Sequence, residues 1–145
     1  MRSKKLQVSY VRNAKRSDAI DYAGSRRGGR SKALPMYVDN TWGSQIVEEI
    51  KPEADDIVVV KSGHSAFGST TLHRILRNLK VDKYIVAGGA VNGCVADRVM
   101  EGAGLGYRLI VVSDATFRSL NSPHLQLLTD WAEIMSTEQV IRSLQ

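Results

Sequence analysis

Tyr84-Ile85-Val86-Ala87-Gly88-Gly89-Ala90-Val91-Asn92-Gly93-Cys94 is the stretch on which the reading of this chain turns. Tyr84 to Ala87 suits a buried strand, and the glycine-rich turn after it delivers a cysteine to a helical pattern over Cys94 to Ala103. Gly102 and Gly104 loosen the end of that helix. The same grammar stands on both sides. Upstream, Ile57-Val58-Val59-Val60 is a continuous β-branched run between Asp55-Asp56 and Lys61-Ser62-Gly63, which predicts a strand buried on both faces. Leu72, Ile75, Leu76 and Leu79 recur at i, i+3, i+4 and i+7 and predict an amphipathic helix over Thr70 to Lys80. Downstream, Leu109 to Val112 predicts a strand ending at Ser113-Asp114, and two helices, about 123–132 and 137–144, flank Glu133-Ile134-Met135. Nearer the start, Leu6 to Arg12 alternates as a short strand. Trp42 to Ile50 reads as one short helix with Ile46, Val47 and Ile50 on one face, closed before Pro52.

Strands alternating with helices at this spacing predict right-handed βαβ crossovers. The expected fold is α/β, a three-layer sandwich with a mostly parallel sheet, and a single domain over 1–145 with a basic mobile loop at about 13–40. In such sheets chemistry gathers beyond the carboxyl ends of the strands. Three candidates fall there: Lys61 with the loop 62–68, the turn 88–94, and Asp114.

Composition narrows the function classes. A chain of 145 residues, 43% hydrophobic and 24% charged, has the makeup of one globular domain. The single cysteine, Cys94, excludes an intramolecular disulfide framework and a four-cysteine zinc site. No apolar run approaches the roughly 20 residues of a membrane-spanning helix. No apolar signal core follows Met1-Arg2-Ser3-Lys4-Lys5, so the expected compartment is the reducing cytoplasm. The net charge of +5 is lopsided: residues 1–32 hold ten basic and two acidic side chains. Within them, 24–32 is a Gly/Ser-interleaved basic loop suited to phosphate or nucleic-acid contact. It lacks the interleaved aromatics that stack bases, so a solvated loop, or a lid drawing in an anionic substrate, is the preferred reading over nucleic acid.

Cys94 at a strand–turn–helix junction would have its thiolate stabilised by the positive end of the helix, and the turn's N–H groups could receive an oxyanion. The bland alternative is a small buried hydrophobe, and the glycines around it favour the reactive one. Lys61 closes a strand expected to be buried, where a charge is costly unless paired or used; otherwise its ammonium snorkels to water. Gly63-His64-Ser65-Ala66-Phe67 approaches a serine nucleophile elbow but has Phe67 where the second glycine belongs. Gly102 to Gly106 follows a helix and precedes a strand, the reverse of a dinucleotide loop, and reads as a turn. His64, His73 and His124 lack ligand spacing, so neither a metal nor another cofactor is expected. Asp114 reads as a cap for the turn after its strand.

Taken together, Val58-Val59-Val60-Lys61 with Ser65-Ala66-Phe67, Thr70 and Leu72, then Ile85-Val86-Ala87-Gly88 with Ala90 and Cys94-Val95, then Gly106-Tyr107 with Leu109 and Asp114-Ala115, resemble the isochorismatase-like cysteine hydrolases. That family includes isochorismatases, nicotinamidases, N-carbamoylsarcosine amidases and ureidoacrylate amidohydrolases, and the likeness covers most of residues 41–141. The resemblance implies a cysteine, lysine and aspartate triad on a parallel α/β sheet, with Cys94 as nucleophile and Lys61 as the lysine. It also implies a cis peptide at Gly89–Ala90, with the N–H groups of Ala90 and Cys94 forming an oxyanion hole. The implied reaction cuts an amide or ureido C–N bond of a small molecule through an acyl-thioester, and an isochorismate-type ether cleavage is the variant within the class. Arg12, Asn13 and Phe67 are taken as candidate substrate contacts.

Two departures matter. Residues 13–40 hold no histidine, so the activity implied is metal-free. The family's aspartate lies on a first, central strand ending in Asp-x-Gln, and Leu6 to Arg12 already resembles the second strand. The resemblance therefore implies an N-terminally short chain with an impaired triad and an open sheet, prone to low stability or to association as a homo-oligomer. The competing readings are a non-catalytic pseudoenzyme or assembly module, and a nucleic-acid binder acting through residues 2–32.

Overall fold

The computed structural model describes residues 6–22, 36–118 and 122–145. The basic loop expected at 24–32, with Arg26, Arg27 and Arg30, lies outside the described residues. The chain divides into two compact units, residues 2–70 and 71–145. Each holds parallel strands, as the α/β reading expects.

In the first unit β1 (Ser9–Asn13) lies parallel to β2 (Ile57–Lys61) in a register that sets Ser9 beside Ile57 and Asn13 beside Lys61. The ladder continues one step past the strands, Ala14 N–H donating to the Lys61 carbonyl at 2.9 Å. The expectation that 57–60 is buried on both faces is corrected: Val59 is 5% exposed, whereas Val58 and Val60 are each 43% exposed. A β-branched run carries no period, so it cannot report that one face of this strand stays open. The single helix expected over Trp42 to Ile50 is also corrected. Two 3-10 turns, Trp42–Ser44 and Glu48–Ile50, flank extended backbone at Gln45 and Val47. Val47 and Ile50, assigned to a buried helix face, are exposed.

The second unit opens with α1 (Leu72–Asn78), shorter than the expected Thr70 to Lys80; it buries Leu72 and Leu76 as its spacing predicts, whereas Leu79, the last residue of that pattern, falls at the helix end and is exposed. Its sheet runs β3 (Lys83–Gly88), β4 (Arg108–Thr116), β5 (Glu133–Met135), every pairing parallel. The crossovers are α2 (Ala96–Gly104) and α3 (Pro123–Leu127), and α4 (Thr137–Ser143) follows β5. β4 is the spine: Leu109, Ile110, Val111 and Val112 are all 4% exposed or less, and Ile110 and Val112 pack with Val140. Contrary to the expected end at Ser113, β4 runs on to Thr116, so Asp114 lies within the strand. The Asp114 carboxylate accepts from both N–H and hydroxyl of Thr137, each at 2.8 Å, tying β4 to the start of α4. These bonds hold its carboxyl below the usual carboxylate range. The expected cap on the turn after its own strand is thus corrected: Asp114 bonds instead to Thr137 at the start of α4. Ser136 and Gln139 complete the α4 start as a reciprocal capping box.

Gly102 is required by its neighbours. A Cβ there would stand 2.0 Å from the Tyr84 Oη and 3.1 Å from its ring carbon. Gly102→Ala is therefore expected to destabilise the fold by about 1–3 kcal/mol in urea titration. Tyr84→Phe in the same chain should recover most of that loss; additive losses in the double variant would contradict this contact.

Candidate functional site

The turn 88–95 is built onto the end of the β3–β4 ladder. The register slips between Val86 and Gly88, so that Gly88 pairs with Thr116. Gly88 adopts φ +110°, a conformation open to glycine and strained for other residues. Phe117 N–H then donates to the Gly88 carbonyl at 2.8 Å, and Val91 N–H to the Phe117 carbonyl at 3.0 Å. Between these anchors the Gly89–Ala90 peptide is cis.

Val91–Val95 forms a wide π-type turn in which Asn92 and Gly93 leave helical geometry, and regular helix begins only at Ala96. Cys94 therefore precedes α2 by two residues, where the sequence pattern sets it on the first turn. The Ala90 carbonyl accepts from Gly93 N–H at 3.1 Å and Val95 N–H at 3.2 Å, closing the turn. Val91, Val95 and Val99, at i, i+4 and i+8, are each 3% exposed or less. That buried stripe roots the turn and the helix in the core, while Cys94 stays half-exposed with its thiol outside any disulfide. One turn further on, Arg98 is half-buried, and the Tyr84 hydroxyl donates to its backbone carbonyl at 3.2 Å.

In the other unit, Lys61 is 4% exposed, and its ammonium donates to the carbonyls of Gly63 at 2.6 Å and His64 at 2.7 Å. The lysine does not snorkel; the chain folds back over it. Asn13 is its neighbour across the ladder. Phe67 is half-buried in the following loop, where Ser65 Oγ accepts from Gly68 N–H at 2.7 Å and so serves as a turn former. Arg12 pairs with Val60 in the ladder, so strand alternation puts it on the face opposite Lys61. There it is held by Asp39 at 3.2 Å and the Ser44 carbonyl at 3.1 Å, beside a shallow cleft with Val58 and Ile46. His73 Nδ1 meets the Tyr107 hydroxyl at 3.0 Å, a structural contact. Among the described residues no three His, Cys, Asp or Glu side chains gather where a metal could be held. Among them, too, no helix is long and apolar enough to cross a membrane.

These features define a parallel α/β protein with a half-exposed thiol in a structured turn after one strand and a buried ammonium at the end of another. The sequence pattern of the isochorismatase domain matches residues 1–139, and the chain belongs to that family. A ureidoacrylate amidohydrolase of Pseudomonas savastanoi pv. phaseolicola is 35% identical over 78 residues, 54% of this chain. The chain spans 32% of that relative's length. The N-carbamoylsarcosine amidase of Thermoplasma acidophilum has a similar structure, with a TM-score of 0.80 and 28% identity over 93% of this chain and 75% of that one. A cysteine hydrolase from Pseudomonas syringae pv. phaseolicola shares the fold at a TM-score of 0.88 and 24% identity, over 99% of this chain and 74% of that one.

Proposed function

We propose that this chain is a single hydrolase domain that cuts an amide or ureido C–N bond in a small molecule, with Cys94 as nucleophile. The observation that carries the reading is the delivery of a half-exposed thiol by a turn anchored on both sides to the strand ends. In the proposed reaction the Cys94 sulfur attacks the carbonyl carbon, a C–S bond forms, and the carbonyl oxygen gains negative charge. The N–H groups of Ala90 and Cys94 are the proposed donors to that oxygen. Collapse breaks the C–N bond and the nitrogen leaves as ammonia or an amine with an added proton; water then hydrolyses the acyl-thioester of an amide to a carboxylic acid, or the thiocarbamate of a ureido substrate to a carbamate that loses carbon dioxide. Lys61 is the proposed cation of the site, and Asn13 and Phe67 are proposed substrate contacts; Arg12, engaged by Asp39 and Ser44, is the weaker candidate. The amidase and amidohydrolase names of the relatives support a C–N bond as the target.

A carboxylate to assist proton transfer would be worth roughly 10²–10⁴ in rate. Among the described residues β1 has β2 as its one strand neighbour and β3 has β4, so each stands at the end of its strand order. The reading therefore includes an aspartate-bearing strand that joins such an edge, supplied by further chain or by a second copy. The test is incubation with a panel of primary amides and N-carbamoyl acids, with and without an added strand segment carrying Asp-x-Gln. Ammonia release together with a substrate-derived mass on Cys94 is expected, larger with the segment. No turnover and no adduct in either condition would overturn the reading and favour a non-catalytic assembly module.

A further inference from the structure

β4 runs past the Ser113–Asp114 end that its sequence predicts, and the added length delivers Phe117 to the Cys94 turn. Both backbone groups of Phe117 are engaged there: its N–H donates to the Gly88 carbonyl at 2.8 Å, and its carbonyl accepts from the Val91 N–H at 3.0 Å. The side chain therefore starts from a fixed point, against Gly89. A Cβ on that glycine would stand 3.0 Å from the Phe117 Cβ and 3.6 Å from its Cδ1, so a bare hydrogen at 89 is what lets the ring lie along the turn. Phe117 is nonetheless 65% exposed. An apolar ring is thus held open to water at the start of the turn whose far end carries the half-exposed thiol. A flat ligand that covers such a ring displaces water from it and meets a side chain whose backbone is already in place.

Arg118 adds a charge to this surface. Its guanidinium carbon lies 5.3 Å from the centroid of the Phe117 ring, within cation–π range. The side chain is exposed, and its backbone stands at φ +61°, a conformation that residues other than glycine rarely hold. Among the described residues no ion pair engages it. The carboxylates on and beside the strands of this sheet are held by other groups: Asp114 by Thr137, Glu133 by Lys83 and Asp82 by Arg108. A guanidinium seated over a ring keeps its fork of N–H donors for a carboxylate, the anion whose geometry that fork matches. Neither Phe117 nor Arg118 is among the candidates that the sequence pattern names, because a strand ending at Ser113 would not reach the turn.

We propose that Phe117 and Arg118 form one wall of the substrate site and select a substrate whose non-reacting part is flat and carries a carboxylate. The inference deepens the hydrolase reading and rests on it for its catalytic meaning, but its test needs no turnover. Benzoate is the flat anionic probe, benzyl alcohol a flat neutral one, and acetate an anion without a ring. Each is tested for protection of Cys94 against iodoacetamide, read as alkylated mass, in wild type, Phe117→Ala, Phe117→Tyr, Arg118→Gln and Arg118→Lys. Both side chains are exposed, so the variants should fold, which circular dichroism checks. Benzoate should protect at lower concentration than either of the other probes. Phe117→Ala should raise the benzoate concentration for half-protection by about threefold to tenfold, with Phe117→Tyr close to wild type. Arg118→Gln should raise it by about twofold to fivefold and leave benzyl alcohol unchanged, with Arg118→Lys in between. Absence of protection, equal protection by all three probes, or an unmoved benzoate midpoint in Phe117→Ala or Arg118→Gln overturns the proposal. The expected pattern without turnover of any amide would sink the hydrolase reading alone. Cys94-dependent turnover with no preference for a flat, carboxylate-bearing substrate would sink this inference alone.

Discussion

Cys94→Ser is expected to lower kcat/KM for any amide the chain hydrolyses by about 10⁴-fold or more, with the fold unchanged. The substitution exchanges one atom at a half-exposed position, so the thermal midpoint should stay within about a degree of wild type. What it removes is acidity. A thiol yields its proton near neutral pH and attacks as a thiolate, whereas a serine hydroxyl needs a strong adjacent base. No such base emerges from the turn itself: its residues, Gly88 to Val95, carry no ionisable side chain but Cys94. Steady-state ammonia release from both proteins under matched conditions checks the expectation. Activity in the serine variant within tenfold of wild type would move the chemistry away from the sulfur, toward a water-attack mechanism in which Cys94 only fills space.

Lys61→Met should damage both stability and activity, and the two losses have separate causes. The ammonium at the end of β2 donates to two carbonyls, of Gly63 and His64, and Gly63 is itself buried. Hydrogen bonds from a charged donor contribute about 1.5–3 kcal/mol each, and a carbonyl left unpaired in the interior adds its desolvation cost. A loss of about 2–4 kcal/mol is expected in urea titration. Lys61→Arg should not rescue it, because the planar guanidinium fork is longer and cannot place one nitrogen between two carbonyls set for a point charge. Activity should fall further than the folded fraction does. Assaying at a temperature where the variant is fully folded separates the two, and full activity there would assign Lys61 to structure alone.

The elements that were legible in the sequence are those whose burial leaves a period or a sharp boundary. Leu72, Ile75 and Leu76 mark α1, and the apolar runs beginning at Tyr84 and Leu109 mark β3 and β4. Cys94 and Lys61 stood out because each follows a strand signal, and placement after a strand is a chain property that needs no partner to be visible. The segment 42–50 failed because Ile46, Val47 and Ile50 match a helical period while the backbone between the two 3-10 turns is extended. Spacing alone cannot tell that pattern from a helix of about three turns or fewer. The exposure of Val58 and Val60 was hidden because identical residue types cover both faces of β2.

The seat of Tyr84 against Gly102 also sets an order on how such a chain could arise. With any side chain at position 102, the tyrosine Oη collides with its Cβ; with glycine at 102 and a smaller residue at 84, only a void results. The two changes are therefore not interchangeable in time. A lineage could acquire the glycine first at modest cost, whereas the tyrosine arriving first would meet a clash it could not relieve. From that seat the Tyr84 hydroxyl donates to the Arg98 carbonyl at 3.2 Å. That bond is accordingly contingent on a glycine four residues further along the same helix.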